Sequence, residues 1–392
     1  MKPNQIIIYC GLLLSISAFS VDILLPAFGA ISTDLAADYS LVQMTVPTFL
    51  ATMGIGQIFM GPISDRFGRR PILLGGLALV AGGTVLCLLA ADAAQLLAGR
   101  AIQGVGASAA PIIARAVLRD LFHGRELAAN MALATMVFAF GPIVAPLLGV
   151  AFMQFGTWRM VFAAILLFSL VLLAVGLLVL PETLRERRPD AMAPGRLWRD
   201  AVAVLRHPQS RYYALLLGPV LTLMMLILIS IPKVYRDSFG IEGAPFAMLF
   251  AVHGLGIIVG QSFNRRLIHR HGPQFALRTG GLITAGSAAL IAAANLAGLM
   301  NAYTLSAILA LFATGFLTMV SNCVALALDP HGAIAGFASS LVESVARIIS
   351  SIAAAVLGLL IGGTLEHFIV VFALSSFVVL GLILQGQRRI SA

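Results

Sequence analysis

Apolar residues in this chain run in long blocks, and polar residues collect in the short breaks between them. An α-helical membrane span needs about 20 apolar residues. Twelve blocks meet that length: 6–28, 41–63, 71–90, 94–118, 127–152, 158–180, 211–233, 244–264, 275–295, 301–327, 333–361 and 365–385. The longest polar stretch, 181–210, separates six blocks from six. The pattern predicts an all-α membrane protein with twelve transmembrane helices: an N-terminal six-helix bundle over 1–180, a linker over 181–210 and a C-terminal six-helix bundle over 211–392. The competing reading of the first 30 residues is a cleaved leader, because Lys2 precedes an apolar run. Asp22 and Pro26 interrupt that run and no small-residue cleavage site follows, which favours a first transmembrane helix. Within the linker, Trp198, Ala201, Val202 and Leu205 share one helical face, with Arg199 and Arg206 elsewhere around it. Two readings stand: a short interfacial helix on an anionic leaflet, or a loosely ordered basic linker.

Composition agrees with the membrane assignment. Hydrophobic residues make up 60% of the chain and charged residues 10%, against about 25% charged in soluble proteins. The net charge of +9 raises nucleic acid as a partner, and the placement of the charges argues against it. With a cytoplasmic N-terminus, 20 of the 25 Lys and Arg fall on the cytoplasmic side. Arg159, Lys233 and Arg236 fall outside, and Arg100 and Arg347 lie within spans. Such a bias is the positive-inside signal of a multi-pass protein of the cell membrane, a bacterial inner membrane in this reading. An even number of spans puts both termini in the cytoplasm. Cys10, Cys87 and Cys323 all lie inside apolar runs and give neither a disulfide framework nor metal spacing. Gly104 and Gly106 sit mid-span with no strand before them, so close helix packing replaces a dinucleotide reading. No phosphate loop, metal cluster or catalytic triad is evident, so no cofactor and no enzymatic activity are expected.

Four stretches of the first half carry a specific pattern. The loop Gly61-Pro62-Ile63-Ser64-Asp65-Arg66-Phe67-Gly68-Arg69-Arg70-Pro71 packs one acid and three arginines between two apolar blocks. Leu97 to Ser108 surrounds Arg100 with small residues, Gly141-Pro142-Ile143-Val144-Ala145-Pro146 places two prolines one turn apart, and Asp22-Ile23-Leu24-Leu25-Pro26 sets an acid four residues before a proline. Together these resemble the major facilitator superfamily, and within it the Bcr/CflA-type drug:proton antiporters. The loop after the eighth block, Gly260-Gln261-Ser262-Phe263-Asn264-Arg265-Arg266, is similar to a worn copy of 61–71 with Asn264 in place of the acid. The second half otherwise matches by topology more than by motif.

Intramembrane charge is costly, about 2.5–3.5 kcal/mol per residue at a span centre, so each such residue needs a reason. At about 1.5 Å rise per residue, Asp22 lies about 24 Å from the inner start of the first span, and Arg100 about 10 Å from the outer start of the fourth. The similar depth makes a shared site a possibility, with Asp22 as proton carrier and Arg100 as a coupling partner or as a clamp on backbone carbonyls and Gln103. Glu343 and Arg347 are spaced for an i,i+4 pair. They and His253 form a second polar group, read as structural or as a second proton or substrate site. The resemblance implies a conformational latch of Gly61, Asp65, Arg66, Gly68, Arg69, Arg119 and Asp120, with Asp65 at the positive N-terminus of the eleventh span and Arg69 paired with Asp120. The alternative is a loop that only obeys the charge rule. The resemblance ties the bend of Gly141, Pro142 and Pro146 to antiport. Phe19, Met224, Met225, Met319 and Asn322 are candidate substrate contacts, since methionine surfaces repack around varied ligands.

The expected function is proton-coupled export of small amphipathic compounds by alternating access, by a chain acting as a monomer with protons, small molecules and the lipid bilayer as partners. A dedicated metabolite or siderophore transporter and a non-transporting membrane receptor are the competing classes.

Overall fold

A computed structural model describes residues 3–184, 186–362 and 364–390. Among these, twelve helices are long and apolar enough to cross a membrane. Spans one to six are Asn4–Asp34, Tyr39–Phe67, Arg69–Leu88, Ala93–Leu121, Ala129–Met153 and Arg159–Leu178. Spans seven to twelve are Pro208–Phe239, Gly243–His271, Pro273–Leu296, Ala302–His331, Gly336–Ile361 and Leu365–Gly386. No strand occurs among the described residues.

Several helices outrun the apolar blocks that predict them. Span seven has 32 residues, which at about 1.5 Å each exceeds a hydrocarbon core of about 30 Å. Its ends are set by local chemistry. Pro208 opens it, where the missing N–H costs nothing, and Gly240 closes it in the left-handed region at φ 66°. Span four starts on Asp92, whose carboxylate accepts the Gln95 N–H at 2.8 Å. Span ten starts on Asn301, which accepts from Tyr303 and Thr304 at 3.0 and 2.9 Å. Both are side-chain N-caps.

Spans one, two, four and five are broken, span two between Tyr39–Gln43 and Thr45–Phe67, and each break has a proline at or just beyond it. Span one is helical over Pro3–Asp22, passes through a 3₁₀ turn at Leu25–Ala27 and resumes over Phe28–Asp34. Span four divides into Ala93–Ala107 and Ala109–Leu121, with Pro111 just beyond. Span five divides into Gly124–Ala139 and Gly141–Met153 at the site of Pro142. A proline four residues after a carbonyl removes that carbonyl's helical donor, so the broken turns follow directly from sequence.

The chain forms two compact units. One comprises the residues up to Ala203 together with Ala333–Ser344; the other comprises Val204–Gly332 and the residues from Val345 onward. Each unit contains a similar crossing built on paired glycines. In the first, a Cβ added at Gly106 would lie 2.6 Å from the Gly76 carbonyl oxygen, so spans three and four meet backbone to backbone. In the second, a Cβ at Gly315 would lie 2.7 Å from the Gly280 oxygen, where spans nine and ten meet. Small residues at helix crossings are the usual means of close approach in lipid.

Candidate functional site

Asp22 ends the first helical segment of span one and is only 4% exposed. Pro26 stands four residues later and cannot donate to the Asp22 carbonyl. The Leu24 N–H turns to the Val21 oxygen at 3.2 Å instead of continuing the helix to Ser20. Arg100, fully buried on span four, fills the gap. Its Nη1 donates to the Ser20 oxygen at 3.1 Å and to Gln103 Oε1, and its Nε donates to the Thr45 oxygen on span two at 3.1 Å. The guanidinium also lies 4.3 Å from the Phe49 ring centroid, a cation–π contact. Gln103 in turn donates to Thr84 Oγ1 on span three at 2.7 Å. The residue therefore ties spans one, two, three and four together through carbonyls and one amide.

The expected pairing of Asp22 with Arg100 is not formed. Among the described residues, no carboxylate lies within ion-pair distance of Arg100, and the Asp22 carboxyl makes no hydrogen bond or ion pair. The guanidinium instead holds the carbonyl two residues before the acid. Arg100 Nη2 and Ser20 Oγ are both buried without a partner.

The 61–71 loop makes a second charged cluster. Gly68 turns the chain at φ 108°, ψ 153°, a region that glycine tolerates best. A Cβ there would also collide with the Glu182 carboxylate. Arg69 is 5% exposed. It reaches Asp65 at 2.6 Å, Asp120 at 3.3 Å and Ser64 Oγ at 2.6 Å. Thr183 Oγ1 donates to the same Asp120 oxygen at 3.2 Å. Arg66 is exposed and lies over the Phe67 ring at 5.2 Å. Asp65 bonds Arg69, one helical turn along the chain. Near the start of span eleven the close group is Arg119, whose Nη1 would lie 3.2 Å from a Cβ at Gly336. Gly61 lies nearby, its Cβ position 3.9 Å from Ser340 Oγ.

Sequence reasoning missed Glu182. Its carboxylate accepts the Arg69 and Arg70 backbone N–H groups at 3.0 and 3.2 Å. It thereby caps the free donors at the N-terminus of span three, where an anion also suits the helix dipole. The available signal was an acid two residues past an apolar block, shortly before a run of arginines. The linker docks on the same loop, with the Arg188 N–H donating to the Asp65 oxygen at 2.9 Å.

The second polar group is divided. Glu343 belongs to the first unit, while Arg347 and His253 belong to the second. Arg115 of span four binds Glu343 through both nitrogens, Nη1 to Oε1 at 2.6 Å and Nη2 to Oε2 at 3.1 Å, and Ser339 adds a bond at 3.2 Å. Arg115 was counted only as a topology charge, because its place near the end of a block hid its reach. His253 is 1% exposed and stacks between Phe250 and Phe312, at centroid distances of 5.5 and 6.2 Å. Its Nδ1 donates to the Leu309 oxygen at 3.1 Å, and Nε2 is buried without a partner.

Of the candidate substrate contacts, Phe19 is half-buried and lies 4.6 Å from Phe168, and Met224 is half-buried. Met225 is buried. Met319 is fully buried, packed against Gly280. Asn322 is fully buried and donates to Asn264 Oδ1 and to the Thr318 oxygen, both at 2.7 Å. Pro142 opens the second segment of span five and Pro146 lies within it. Gly141 faces Ala18 of span one, its Cβ position 3.3 Å from the Ala18 Cβ.

A basic signature loop, a buried arginine on span four and twelve spans all point one way, and the sequence profile of the major facilitator superfamily matches residues 10–355. The chain belongs to the major facilitator superfamily. Superfamily relatives include an uncharacterized MFS-type transporter, YdgK, of Bacillus subtilis (strain 168), 30% identical over 89% of this chain and 87% of that protein. A chloramphenicol resistance protein of Pseudomonas aeruginosa is 29% identical over 89% of this chain and 80% of its own length. A bicyclomycin resistance protein homolog of Haemophilus influenzae is 28% identical over 88% and 87%. These names agree with the resemblance to Bcr/CflA-type drug transporters. The fold is shared with the human organic anion transporter MFSD10 (TM-score 0.70, 20% identity, 98% of this chain and 99% of that one). It is shared also with a peptide transporter POT mutant in complex with sulfate (TM-score 0.77, 16% identity, 99% and 94%). The protein is thus a multi-pass membrane transporter of the superfamily, a family of small-molecule carriers.

Proposed function

We propose that this chain is a proton-coupled secondary transporter that exports small amphipathic drugs or related compounds by alternating access. The observation that carries the reading is Asp22: a buried carboxyl without a partner, set at a proline break whose free carbonyl neighbour is held by Arg100. An ionised carboxylate buried without donors is costly, so a proton bound there is released when water or a counter-charge gains access. Proton occupancy is then coupled to the state of span one. The resistance-protein names of the relatives support drug-like substrates, with Phe19 and Met224 as partly exposed contacts. The Lys and Arg distribution supports a bacterial inner membrane with both termini in the cytoplasm. The chain needs no cofactor in this reading, acts as a monomer and performs transport without enzymatic chemistry.

The test is flux in liposomes. Purified protein is reconstituted, a pH gradient is imposed and a panel including chloramphenicol and lipophilic cations is followed. Wild type accumulates substrate against its gradient, whereas Asp22→Asn carries it only downhill. Uphill transport by Asp22→Asn at the wild-type rate would remove Asp22 as the proton carrier.

A further inference from the structure

The linker presents chemistry that transport does not use. Pro194–Arg206 is a helix of 13 residues. One face seats on the protein: Val204 is fully buried and Leu197 and Ala201 are half-buried. The next face around is apolar and open. Trp198 is 73% exposed and Leu205 37% exposed, with half-buried Val202 between them at helical spacing. Arg199 and Arg206 border that stripe, both exposed and with no acid partner among the described residues. The third arginine is neutralised, since Arg196 binds Asp190 at 2.6 Å and lies 4.0 Å from Asp200.

We infer that this helix docks on the membrane leaflet of its own side, with Trp198, Val202 and Leu205 among the upper acyl carbons and Arg199 and Arg206 on anionic headgroups. Charge complementarity selects the occupant: a narrow apolar stripe edged by two unneutralised guanidinium groups matches an anionic interface. Tethering holds the helix there. Only His207 separates Arg206 from Pro208, the first residue of span seven, so the helix stays near the bilayer surface whether docked or not. Indole also favours the boundary layer between headgroup and chain. The inference is independent of the proton reading of Asp22.

The chain has two tryptophans, so the signal is separable. Intact protein and Trp198→Phe are reconstituted into vesicles with increasing phosphatidylglycerol, using lipids labelled with a quencher high on the acyl chain. The difference between the two proteins reports Trp198. The lipid quencher should quench it, water-borne acrylamide should reach it poorly, and high salt should weaken the docking. A basic residue near an anionic surface is worth roughly a fivefold shift. Arg199→Gln with Arg206→Gln should therefore lower the docked-to-undocked ratio about 25-fold. Both arginines are exposed, so the variant should fold, and the Trp158 signal serves as the control. Three outcomes would overturn the inference: acrylamide quenching without lipid quenching, lipid quenching that is the same in zwitterionic vesicles and in the double variant, or quenching that follows the protein-to-lipid ratio. The last would mark contact with a second copy.

Discussion

Replacing Arg100 by lysine keeps the charge and tests the geometry. The arginine donates to three acceptors on three different elements and has no carboxylate within ion-pair distance among the described residues. Each hydrogen bond to a charged group contributes about 1.5–3 kcal/mol. These bonds offset the cost of burying the cation, which amounts to several kcal/mol even after relaxation. An ammonium head on a flexible stem cannot span the carbonyls of Ser20 and Thr45 as a planar fork does. If lysine keeps one bond of three, the loss is about 3–6 kcal/mol, with the burial cost unchanged. Arg100→Met removes bonds and charge together, so its two terms oppose and its net loss should be smaller. The order of stability should therefore be wild type, then Met, then Lys, the reverse of chemical similarity. At about 2–4 °C per kcal/mol for a unit of this size, Arg100→Lys should lower the unfolding midpoint by on the order of 10 °C. The assay is thermal unfolding in detergent, followed by thiol labelling of the buried Cys87 and Cys10. Transport should be lost in Met and impaired in Lys, because either change frees the Ser20 carbonyl beside Asp22. A Lys variant as stable as wild type would refute the three-acceptor clamp.

Gly106→Ala and Gly315→Ala should each destabilise their own unit by about 1–3 kcal/mol through overpacking against backbone, read as separate drops in unfolding midpoint; no change in either would mean that the crossing can relax. Gly68→Ala should disturb the turn and the Glu182 cap together, with a cost of about 1–3 kcal/mol, and a site-specific cleavage assay at residues 181–190 should detect release of the linker. A double-mutant cycle of Arg115→Ala and Glu343→Ala should give a coupling of about 0.5–3 kcal/mol in stability, and additive effects would leave the bidentate pair without energetic weight.

The span count was legible because lipid leaves the backbone only two options and the apolar block length selects the helix. Most ends were blurred because Pro208 and Gly240 set helix termini by local chemistry, whereas hydropathy sees only the apolar middle. Arg100 was legible as a clamp since arginine in a span must find acceptors, and small neighbours invite backbone. Which carbonyls it would hold was not legible, because Ser20 became available only through the Pro26 break one helix away. Asp65 illustrates a different limit. The i,i+4 spacing to Arg69 made that pairing available from the sequence, and attention to a distant helix dipole passed it over. Glu182 and Arg115 were hidden for a common reason: each acts on an element far away in sequence, and neither lies in a recognisable motif.

The two units keep similar scaffolding and differ in charge. Gly76 with Gly106 and Gly280 with Gly315 build equivalent close crossings, and both fourth-in-unit helices begin on an Asx cap, Asp92 or Asn301. The polar links between helices are not equivalent. The first unit uses the ionic set Asp65, Arg69 and Asp120, and places Asp22 and Arg100 inside its spans. At the position of Asp65 the second unit carries Asn264, which is bonded by the amide of Asn322 at 2.7 Å. An amide pair fixes two helices without taking up or releasing a proton near neutral pH. Buried within the protein, it also avoids the cost of an ion pair. The second unit therefore retains the mechanical link while giving up the titratable group. That asymmetry is the physical reason to look for the proton step in the first unit, at the carboxyl of Asp22, and to treat His253 as a neutral donor to the Leu309 carbonyl.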